Sequence, residues 1–334
     1  MKKVTTEDGK TTVQIELDYP AKTQGSVIEE MVRAKLVEAG IPADVKISQN
    51  IIAHEVQRGV KVFDSVRNII AVSSGKGGVG KSTVSANLAL ALQQEGAKVG
   101  LLDADVYGPS QPTMLGITDK PYSVDGKTLE PMVAHGLQVA SVGVLIDPDQ
   151  PMIWRGPLAV SALQQLLKQT NWKDLDYLIV DMPPGTGDIQ LSLSQEVPLT
   201  GAVVVTTPQD IALMDARKGL VMFEKVNVPI LGIIENMATH ICSKCGHEEH
   251  IFGEGGAAKM AAQYGVELLG ELPLDINIRL SMDKGEPIVI SDPDSKVAQA
   301  YREIARKLQS PFLRRTKTTA RRCPPLRYPI PKRD

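Results

Sequence analysis

The sequence predicts an α/β fold, a doubly wound and mostly parallel sheet with a small N-terminal α+β unit. From residue 68 onward, five short apolar runs alternate with stretches of helical periodicity. Each run is rich in Val, Ile and Leu and does not alternate with polar residues, as expected of strands covered on both faces. The runs are NIIAVSS, KVGLLDAD, YLIVDMP, GAVVVTTP and ILGIIENM.

Residues 1–53 predict a partial α+β domain. TVQIEL alternates as a strand, SVIEEMVRAKLVEAG has helical spacing, and ADVKISQNII predicts a second strand. Two strands and one helix bury little surface, so we expect this unit to lean on the main domain or to be part of a larger one. A polar linker at residues 54–67 then leads to the main domain, which we place at residues 68–310.

The end of the chain differs in composition. Residues 311–334 carry eight Lys or Arg, one acidic residue and five prolines. This composition predicts a disordered, solvated tail, with an arm for an anionic partner as the alternative. Prolines exclude an amphipathic membrane helix there.

Overall composition narrows the class of protein. The 334 residues are 43% hydrophobic with a net charge of -2, which gives no basic field for nucleic acid. Three cysteines cannot build a disulfide framework, so we expect a reducing compartment, the cytoplasm. The N-terminus lacks the apolar core of a secretory signal, and no apolar run approaches the roughly 18 residues of a membrane span.

The segment GKGGVGKST, residues 75–83, fits the phosphate-loop pattern G-x-x-x-x-G-K-[ST] between a predicted strand and a predicted helix. Glycines let backbone N–H groups close around phosphate oxygens. Lys81 is expected to reach the β and γ phosphates, and Ser82 to bind Mg²⁺. The nucleotide-binding residues predicted here are Gly75, Lys76, Gly77, Gly78, Val79, Gly80, Lys81, Ser82 and Thr83.

Aspartates end two of the apolar runs. Asp181, at the end of one run, is predicted to coordinate Mg²⁺ through water at the carboxyl edge of the sheet. In LLDAD, strand alternation would put Asp103 and Asp105 on one side, with Asp105 nearer the loop. Each aspartate alone could instead be a strand-end turn or a helix cap.

Lys76 is superfluous to an ordinary phosphate loop. KGGVGKST resembles the deviant Walker A motif of the ParA/MinD class, which implies a homodimer in which Lys76 reaches the partner's phosphates. The resemblance makes Lys76, Lys81 and Asp105 the expected catalytic residues, with Asp105 orienting the attacking water and Asp103 supporting it. Gly185, Thr186, Gly187 and Asp188 would form a second switch loop sensing the γ phosphate. Asn236 is placed like the purine-reading asparagine of this class, or is a turn residue.

Several phrases together resemble the Mrp/ApbC family of ATP-dependent iron-sulfur cluster carriers. They are GKGGVGKSTVSANLALAL, LLDADVYGPS, MIWRGP, DMPPGTGD, VVVTTPQDIALMDARKG, ENM and a CxxC pair. The resemblance covers about residues 68–309, and residues 1–53 resemble the latter half of a small preceding domain. It implies ATP, Mg²⁺ and a [4Fe-4S] cluster, slow switch-type hydrolysis, and partners among apo iron-sulfur proteins and cluster scaffold proteins. The basic tail matches nothing in the family.

The CxxC pair, Cys242 and Cys245, lies in a segment that we place at residues 237–256. Two intervening residues let both thiolates face one metal. His247 and His250 could complete a zinc site, but one residue between Cys245 and His247 is far from the roughly 12-residue return of zinc fingers. An iron-sulfur cluster needs about four thiolate ligands, and this pair supplies two. The shortage of ligands points to a dimer. The family resemblance implies a [4Fe-4S] cluster bridged by both cysteines of each protomer, with zinc or inert thiols as alternatives.

Three other functions remain open from the sequence. A ParA/MinD-like positioning ATPase would need a membrane-binding helix or a DNA-binding face. A reductase like the nitrogenase iron protein holds its cluster with widely spaced cysteines, unlike the pair here. A zinc-stabilised regulatory NTPase is the third. Met152, Trp154 and Arg155 could lie near the dimer seam or the nucleotide, or could be an apolar anchor beside a solvated Arg.

Overall fold

The computed structural model describes residues 3–7, 10–57, 60, 63–144, 156–242 and 244–308. The predicted tail at 311–334 and the residues Met152, Trp154 and Arg155 lie outside the described residues. Within the described ranges, no helix combines the length and the apolar content that a membrane crossing requires.

The N-terminal unit is a three-stranded sheet with one helix. Its elements are β1 (Lys3–Glu7), β2 (Lys10–Leu17), α1 (Gly25–Glu38) and β3 (Ala43–Gln49). β2 pairs with β1 in antiparallel and with β3 in parallel orientation, so α1 is the crossover between parallel strands. β2, α1 and β3 confirm the predicted elements. β1 was not predicted, because KVTTE contains too few apolar residues to stand out.

A buried carboxylate ties this unit to the rest of the chain. The side chain of Glu95 accepts hydrogen bonds from Thr23 and, at 2.6 Å, from Nη1 of Arg306. The Glu95 backbone carbonyl also accepts a bond from the amide of Lys22. Because Glu95 is fully buried, these bonds supply the partners that its charge needs. The unit therefore leans on the main domain, as expected; the domain boundaries themselves stay predictions.

The main body is built on an eight-stranded sheet. Its strands are β4 (Val66–Ser74), β5 (Val99–Asp103), β6 (Met132–Ala134), β7 (Leu137–Ser141), β8 (Leu175–Asp181), β9 (Gly201–Thr206), β10 (Ile230–Glu235) and β13 (Leu268–Glu271). A separate two-stranded hairpin is formed by β11 (His240–Ile241) and β12 (Glu248–Glu249). The order in the large sheet is β13-β10-β9-β4-β8-β5-β7-β6, and only β6 runs antiparallel to its neighbour.

Helices cover both faces of this sheet. They are α2 (Lys81–Gln94), α3 (Gln111–Met114), α4 (Gly156–Gln169), α5 (Asp188–Glu196), α6 (Asp210–Lys225), α7 (Gly256–Tyr264), α8 (Ile276–Asp283), α9 (Ile288–Ser291) and α10 (Lys296–Lys307). Along β4, Ile70 and Val72 join the core that includes α2 and α10, while Ile69 and Ala71 join the core that includes α4 and α6. The sheet is therefore doubly wound, which confirms the predicted fold class.

The five apolar runs correspond to β4, β5, β8, β9 and β10. The edge hairpin of β6 and β7 was not predicted, because β6 has only three residues and its central Val133 is 72% exposed. Central strands run parallel, so their carboxyl ends meet at one edge of the sheet. In the register of β5 and β8, Asp103 lies directly opposite Asp181, which places two aspartates side by side at that edge.

Candidate functional site

The phosphate loop joins the end of β4 to the start of α2. Gly78 and Gly80 have φ angles of 82° and 83°, a conformation that L side chains rarely adopt. A Cβ at Gly78 would meet open space, whereas one at Gly80 would lie 2.3 Å from Nδ2 of Asn236. The loop borders a cavity of about 200 Å³ whose lining includes Ser74, Gly77, Gly78, Gly80, Lys81, Ser82, Thr83, Asp105 and Pro184. This open cradle at a helix N-terminus suits phosphate.

Lys81 and Asp181 form a buried ion pair beside that cavity. The ammonium nitrogen of Lys81 lies 2.6 Å from Oδ1 of Asp181 and 3.2 Å from the hydroxyl of Ser82. The hydroxyl of Ser85 lies 2.9 Å from the same carboxylate oxygen and 3.0 Å from the carbonyl oxygen of Lys81. The hydroxyl of Ser82 and the carboxylate of Asp181 are hard oxygen ligands, which fits Mg²⁺.

Asp103 organises the loop that follows β5. Its carboxylate accepts bonds from the backbone amides of Asp105, Ser110 and Gln111 and from the hydroxyl of Ser141. Burial, and next the neighbouring charge of Asp181, raise the pKa of Asp103 to about 7. Asp103 thus supports the loop and does not line the cavity.

Asp105 is the aspartate that faces the cavity. It lies 4.0 Å from the ammonium of Lys81 and accepts backbone bonds from Tyr107 and Gly108. The two aspartates of LLDAD therefore have different surroundings, and their expected roles stay predictions.

Gln111 is a site residue that the sequence did not reveal. It is fully buried, and its Nε2 donates to the carbonyl oxygen of Ser82 and to Oδ2 of Asp181. No motif marks a single glutamine at the start of a four-residue helix, so only the fold brings it to the site. In the sequence, the feature that comes nearest to marking Gln111 as a site residue is its position, eight residues after Asp103.

The remaining loop residues surround this centre. Val79 is buried, and its carbonyl accepts a bond from Nδ2 of Asn236 at 2.9 Å. A Cβ at Gly75 would lie 2.2 Å from the backbone of Asp215, so the first residue of the loop packs directly against the backbone of α6. The carbonyl of Lys76 accepts the hydroxyl of Ser74. Asn236 thus touches the phosphate loop from behind; its predicted contact with a purine remains a prediction.

The predicted second switch loop lies between β8 and α5. The amide of Gly185 donates to the carbonyl of Ser74 at 2.9 Å, which ties this loop to the strand that carries the phosphate loop. Gly187 precedes α5, and Asp188 is its first residue. Thr186 instead borders a groove along α6 that also contains Met214 and Arg217.

The two cysteines lie at the tip of the β11–β12 hairpin. The amide of Cys242 donates to the carbonyl of His247, and the amide of Gly246 donates back to the carbonyl of Cys242. Cys242 is half-buried and Cys245 is exposed. Backbone N–H groups of Cys245 and Lys244, and then the Cys245 thiol, lower the pKa of the Cys242 thiol. Such stabilisation favours the thiolate, the form that binds metal.

The zinc alternative needs both histidines beside the thiols. Nδ1 of His250 is paired with the carbonyl of Ala238 at 3.0 Å, which leaves Nε2 as the ring nitrogen that could bind a metal. Over the ranges that the structure covers, no group of three or more His, Cys, Asp and Glu side chains is placed to hold a metal ion. Within the part of the chain that the structure describes, the hairpin offers two thiols at its surface tip.

Comparison with known proteins agrees with this arrangement. A family model described as ParA, NUBPL iron-transfer P-loop NTPase, matches residues 65–309. The iron-sulfur cluster carrier protein of Escherichia coli strain K12 is 56% identical over 299 residues, covering 88% of this chain and 81% of that protein. The iron-sulfur cluster transfer protein NUBPL of Mus musculus is 50% identical over 256 residues, covering 75% and 80%.

Solved structures share the fold. A nucleotide-binding protein from Archaeoglobus fulgidus, in complex with ADP, aligns with a TM-score of 0.62 and 37% identity over 71% of this chain and 92% of that one. The cell division ATPase MinD of Pyrococcus furiosus aligns with a TM-score of 0.56 and 26% identity over 73% and 98%. These findings confirm the resemblance drawn from the sequence motifs, and the chain belongs to the ParA family of NUBPL iron-transfer P-loop NTPases.

Proposed function

We propose that this chain is an ATP-hydrolysing iron-sulfur cluster carrier, which holds a [4Fe-4S] cluster between two copies of itself and passes it to apo-proteins. The observation that carries the proposal is the exposed hairpin with two thiols, one of them favoured as a thiolate. It occurs in one chain with a phosphate loop whose cavity has oxygen ligands at its edge. The names of the relatives, a cluster carrier and a cluster transfer protein, support it.

The nucleotide half of the proposal assigns roles to the residues around the cavity. Lys81 would exchange its bond to Asp181 for the β and γ phosphates, since ATP brings more negative charge than one carboxylate. Ser82 and Asp181 would then hold Mg²⁺, which when bound neutralises phosphate charge. Asp105 would orient the attacking water, and Lys76 of a second copy would supply a further positive charge. Hydrolysis in this arrangement is slow until a partner completes it.

The cluster half of the proposal depends on the count of thiols. A [4Fe-4S] cluster takes about four thiolates, and the hairpin supplies two, Cys242 and Cys245. Two copies of the hairpin therefore make one complete ligand set. A cargo held in this way loses half of its ligands when the copies separate, so a nucleotide-driven change of the dimer would release it to an apo-acceptor. The cytoplasm as the compartment, and cluster scaffold proteins as partners, are part of this proposal.

Anaerobic reconstitution with iron and sulfide tests the cluster. We expect a brown dimer with about four irons per pair of chains, with visible absorption that is lost in Cys242→Ala. The third cysteine offers a matched control, because Cys323→Ala should load and transfer like the unmodified chain. Bound zinc without iron, or undiminished transfer to an apo-protein by Cys242→Ala, would overturn the carrier function. Zinc binding would favour the regulatory NTPase. A chain that loads no metal but binds DNA or vesicles would favour a positioning ATPase.

A further inference from the structure

One glutamine amide joins the two residues proposed to hold Mg²⁺. Nε2 of Gln111 lies 2.9 Å from the carbonyl oxygen of Ser82 and 2.8 Å from Oδ2 of Asp181. We propose that Gln111 is a positioning residue of the cation site, which fixes the carboxylate of Asp181 relative to Ser82. This inference rests on the proposed function, because it concerns the cation site of the same ATPase.

Three side chains donate hydrogen bonds to the carboxylate of Asp181. We expect nucleotide to displace the charged donor and not the two neutral ones. On Oδ1, Lys81 donates at 2.6 Å and Ser85 at 2.9 Å; on Oδ2 the donor is Gln111. Phosphate competes for the ammonium of Lys81, since that group is the cation at the cavity. Ser85 and Gln111 are neutral and fully buried. The hydroxyl of Ser85 has one hydrogen and two acceptors, Oδ1 of Asp181 and the carbonyl of Lys81 at 3.0 Å. Nε2 of Gln111, by contrast, has one hydrogen for Oδ2 of Asp181 and one for the carbonyl of Ser82. The amide of Gln111 is therefore the neutral donor that stays on the carboxylate when Lys81 leaves, and it orients Oδ2 of Asp181 relative to Ser82.

Gln111 is itself held by the loop after β5. Its amide, with that of Ser110, donates to Oδ2 of Asp103 at 3.1 Å. The same carboxylate accepts the amide of Asp105 through Oδ1. The loop that carries Asp105 and the side chain that fixes Asp181 therefore share one anchor. A displacement of this loop moves the amide of Gln111 and, with it, the carboxylate.

The two ends of the Gln111 side-chain amide have different surroundings. Oε1 is buried and has no hydrogen-bond partner among the residues that the structure describes. Nε2 carries the contacts to the site, and its two hydrogens are used on the carbonyl of Ser82 and on Oδ2 of Asp181.

The test separates cation binding from nucleotide binding. The affinity for ADP is measured with a fluorescent analogue, in EDTA and across a Mg²⁺ titration, for the full chain and for Gln111→Met and Gln111→Leu. We expect both variants to bind ADP in EDTA within about twofold of the unmodified chain. The Mg²⁺ concentration that produces half of the maximal change in ADP affinity should rise about tenfold. This is the usual effect of losing a residue that orients a metal ligand.

Asn68→Leu is the matched control. Asn68 is also a fully buried amide, and it donates to two carbonyls, those of Ile52 and Asp176, from β4. Its loss should lower stability and leave the Mg²⁺ response unchanged. An unchanged Mg²⁺ response in both Gln111 variants, or their loss of ADP binding in EDTA, would overturn this inference alone. An unmodified chain whose ADP affinity ignores Mg²⁺ would overturn the proposed cation site as well.

Discussion

The ammonium of Lys81 and the carboxylate of Asp181 lie 2.6 Å apart with both side chains almost wholly buried. Asp103 adjoins the same carboxylate across the strand register, so Lys81 is the positive charge beside two buried acids. Lys81, which the sequence predicts to bind ATP, thus also stabilises the protein without nucleotide.

Replacing Lys81 by Met should therefore lower stability as well as nucleotide affinity. Removing one partner of a buried ion pair leaves an uncompensated charge, and we expect a loss of about 3 kcal/mol at pH 8. The loss should be smaller at pH 5. At that pH the carboxyl of Asp103, whose pKa is raised to about 7, is protonated and adds no second negative charge beside Asp181. Urea unfolding at both pH values measures this. Lys98→Met removes an exposed ion pair with Asp174 and should cost less than about 1 kcal/mol; equal costs for the two variants would contradict the prediction.

The pKa of Asp103 predicts a fall in stability as pH rises. The carboxyl ionises near 3.8 in the unfolded chain and near 7 in the fold, so the folded state binds more protons between these values. The free energy of unfolding should therefore decrease from about pH 4 to about pH 7 and then level off. The full shift corresponds to a contribution on the order of 4 kcal/mol.

Asp103→Asn isolates this contribution from other groups. Asparagine does not ionise. The free energy of unfolding of the variant should therefore decrease less between pH 4 and pH 7 than that of the unmodified protein. The difference between the two proteins, measured by urea unfolding in half-unit steps, gives the titration of Asp103. A difference that does not vary with pH would show that Asp103 titrates like an ordinary carboxyl.

Two glycines of the phosphate loop should respond differently to the same substitution. Alanine at either Gly78 or Gly80 meets the strain of a positive φ, about 1–2 kcal/mol. At Gly80 the added Cβ also displaces Asn236, which breaks the bond to the carbonyl of Val79. We therefore expect Gly80→Ala to cost about 1 kcal/mol more than Gly78→Ala in urea unfolding. If the two cost the same, Asn236 yields without loss and its contact with the loop is incidental.

The attachment of the N-terminal unit should depend on Arg306, because its Nη1 lies 2.6 Å from Glu95 of the main body and 3.5 Å from the hydroxyl of Thr23 in the unit. Arg306→Met leaves the buried carboxylate of Glu95 with Thr23 alone, at a cost of about 3 kcal/mol in the free energy of unfolding. Arg279→Met removes a pair of similar length, 2.7 Å to Asp283, that is 62% exposed on both sides. That control should cost less than about 1 kcal/mol. Limited proteolysis should cut near residues 54–65 faster in Arg306→Met, and an unchanged cleavage rate would contradict the attachment.

The sequence predicted the parts of this molecule whose residues are adjacent in the chain. Apolar runs mark the buried strands, and the spacing of Gly80, Lys81 and Ser82 marks the phosphate loop. It could not predict relations that only packing creates. The register that pairs Asp103 with Asp181, and the reach of Gln111 to both Ser82 and Asp181, depend on how β5, β8 and α2 meet. The β6 strand escaped because three residues with an exposed Val133 carry too little pattern.

Asn236 and Cys242 are six residues apart, which bounds the distance between their Cα atoms at about 20 Å. Asn236 and Met237 form a turn, in which Met237 has a φ angle of 57°. After the turn, the amide of Ala238 is bonded to Leu272 and the carbonyl of Thr239 to Leu274. The asparagine behind the phosphate loop and the thiols at the hairpin tip therefore lie on one short, hydrogen-bonded connection. Because Asn236 is bonded to the carbonyl of Val79, a displacement of the phosphate loop would have only this short connection to cross before it reached the base of the hairpin, and the two sites of the proposed function would need no relay through a distant domain.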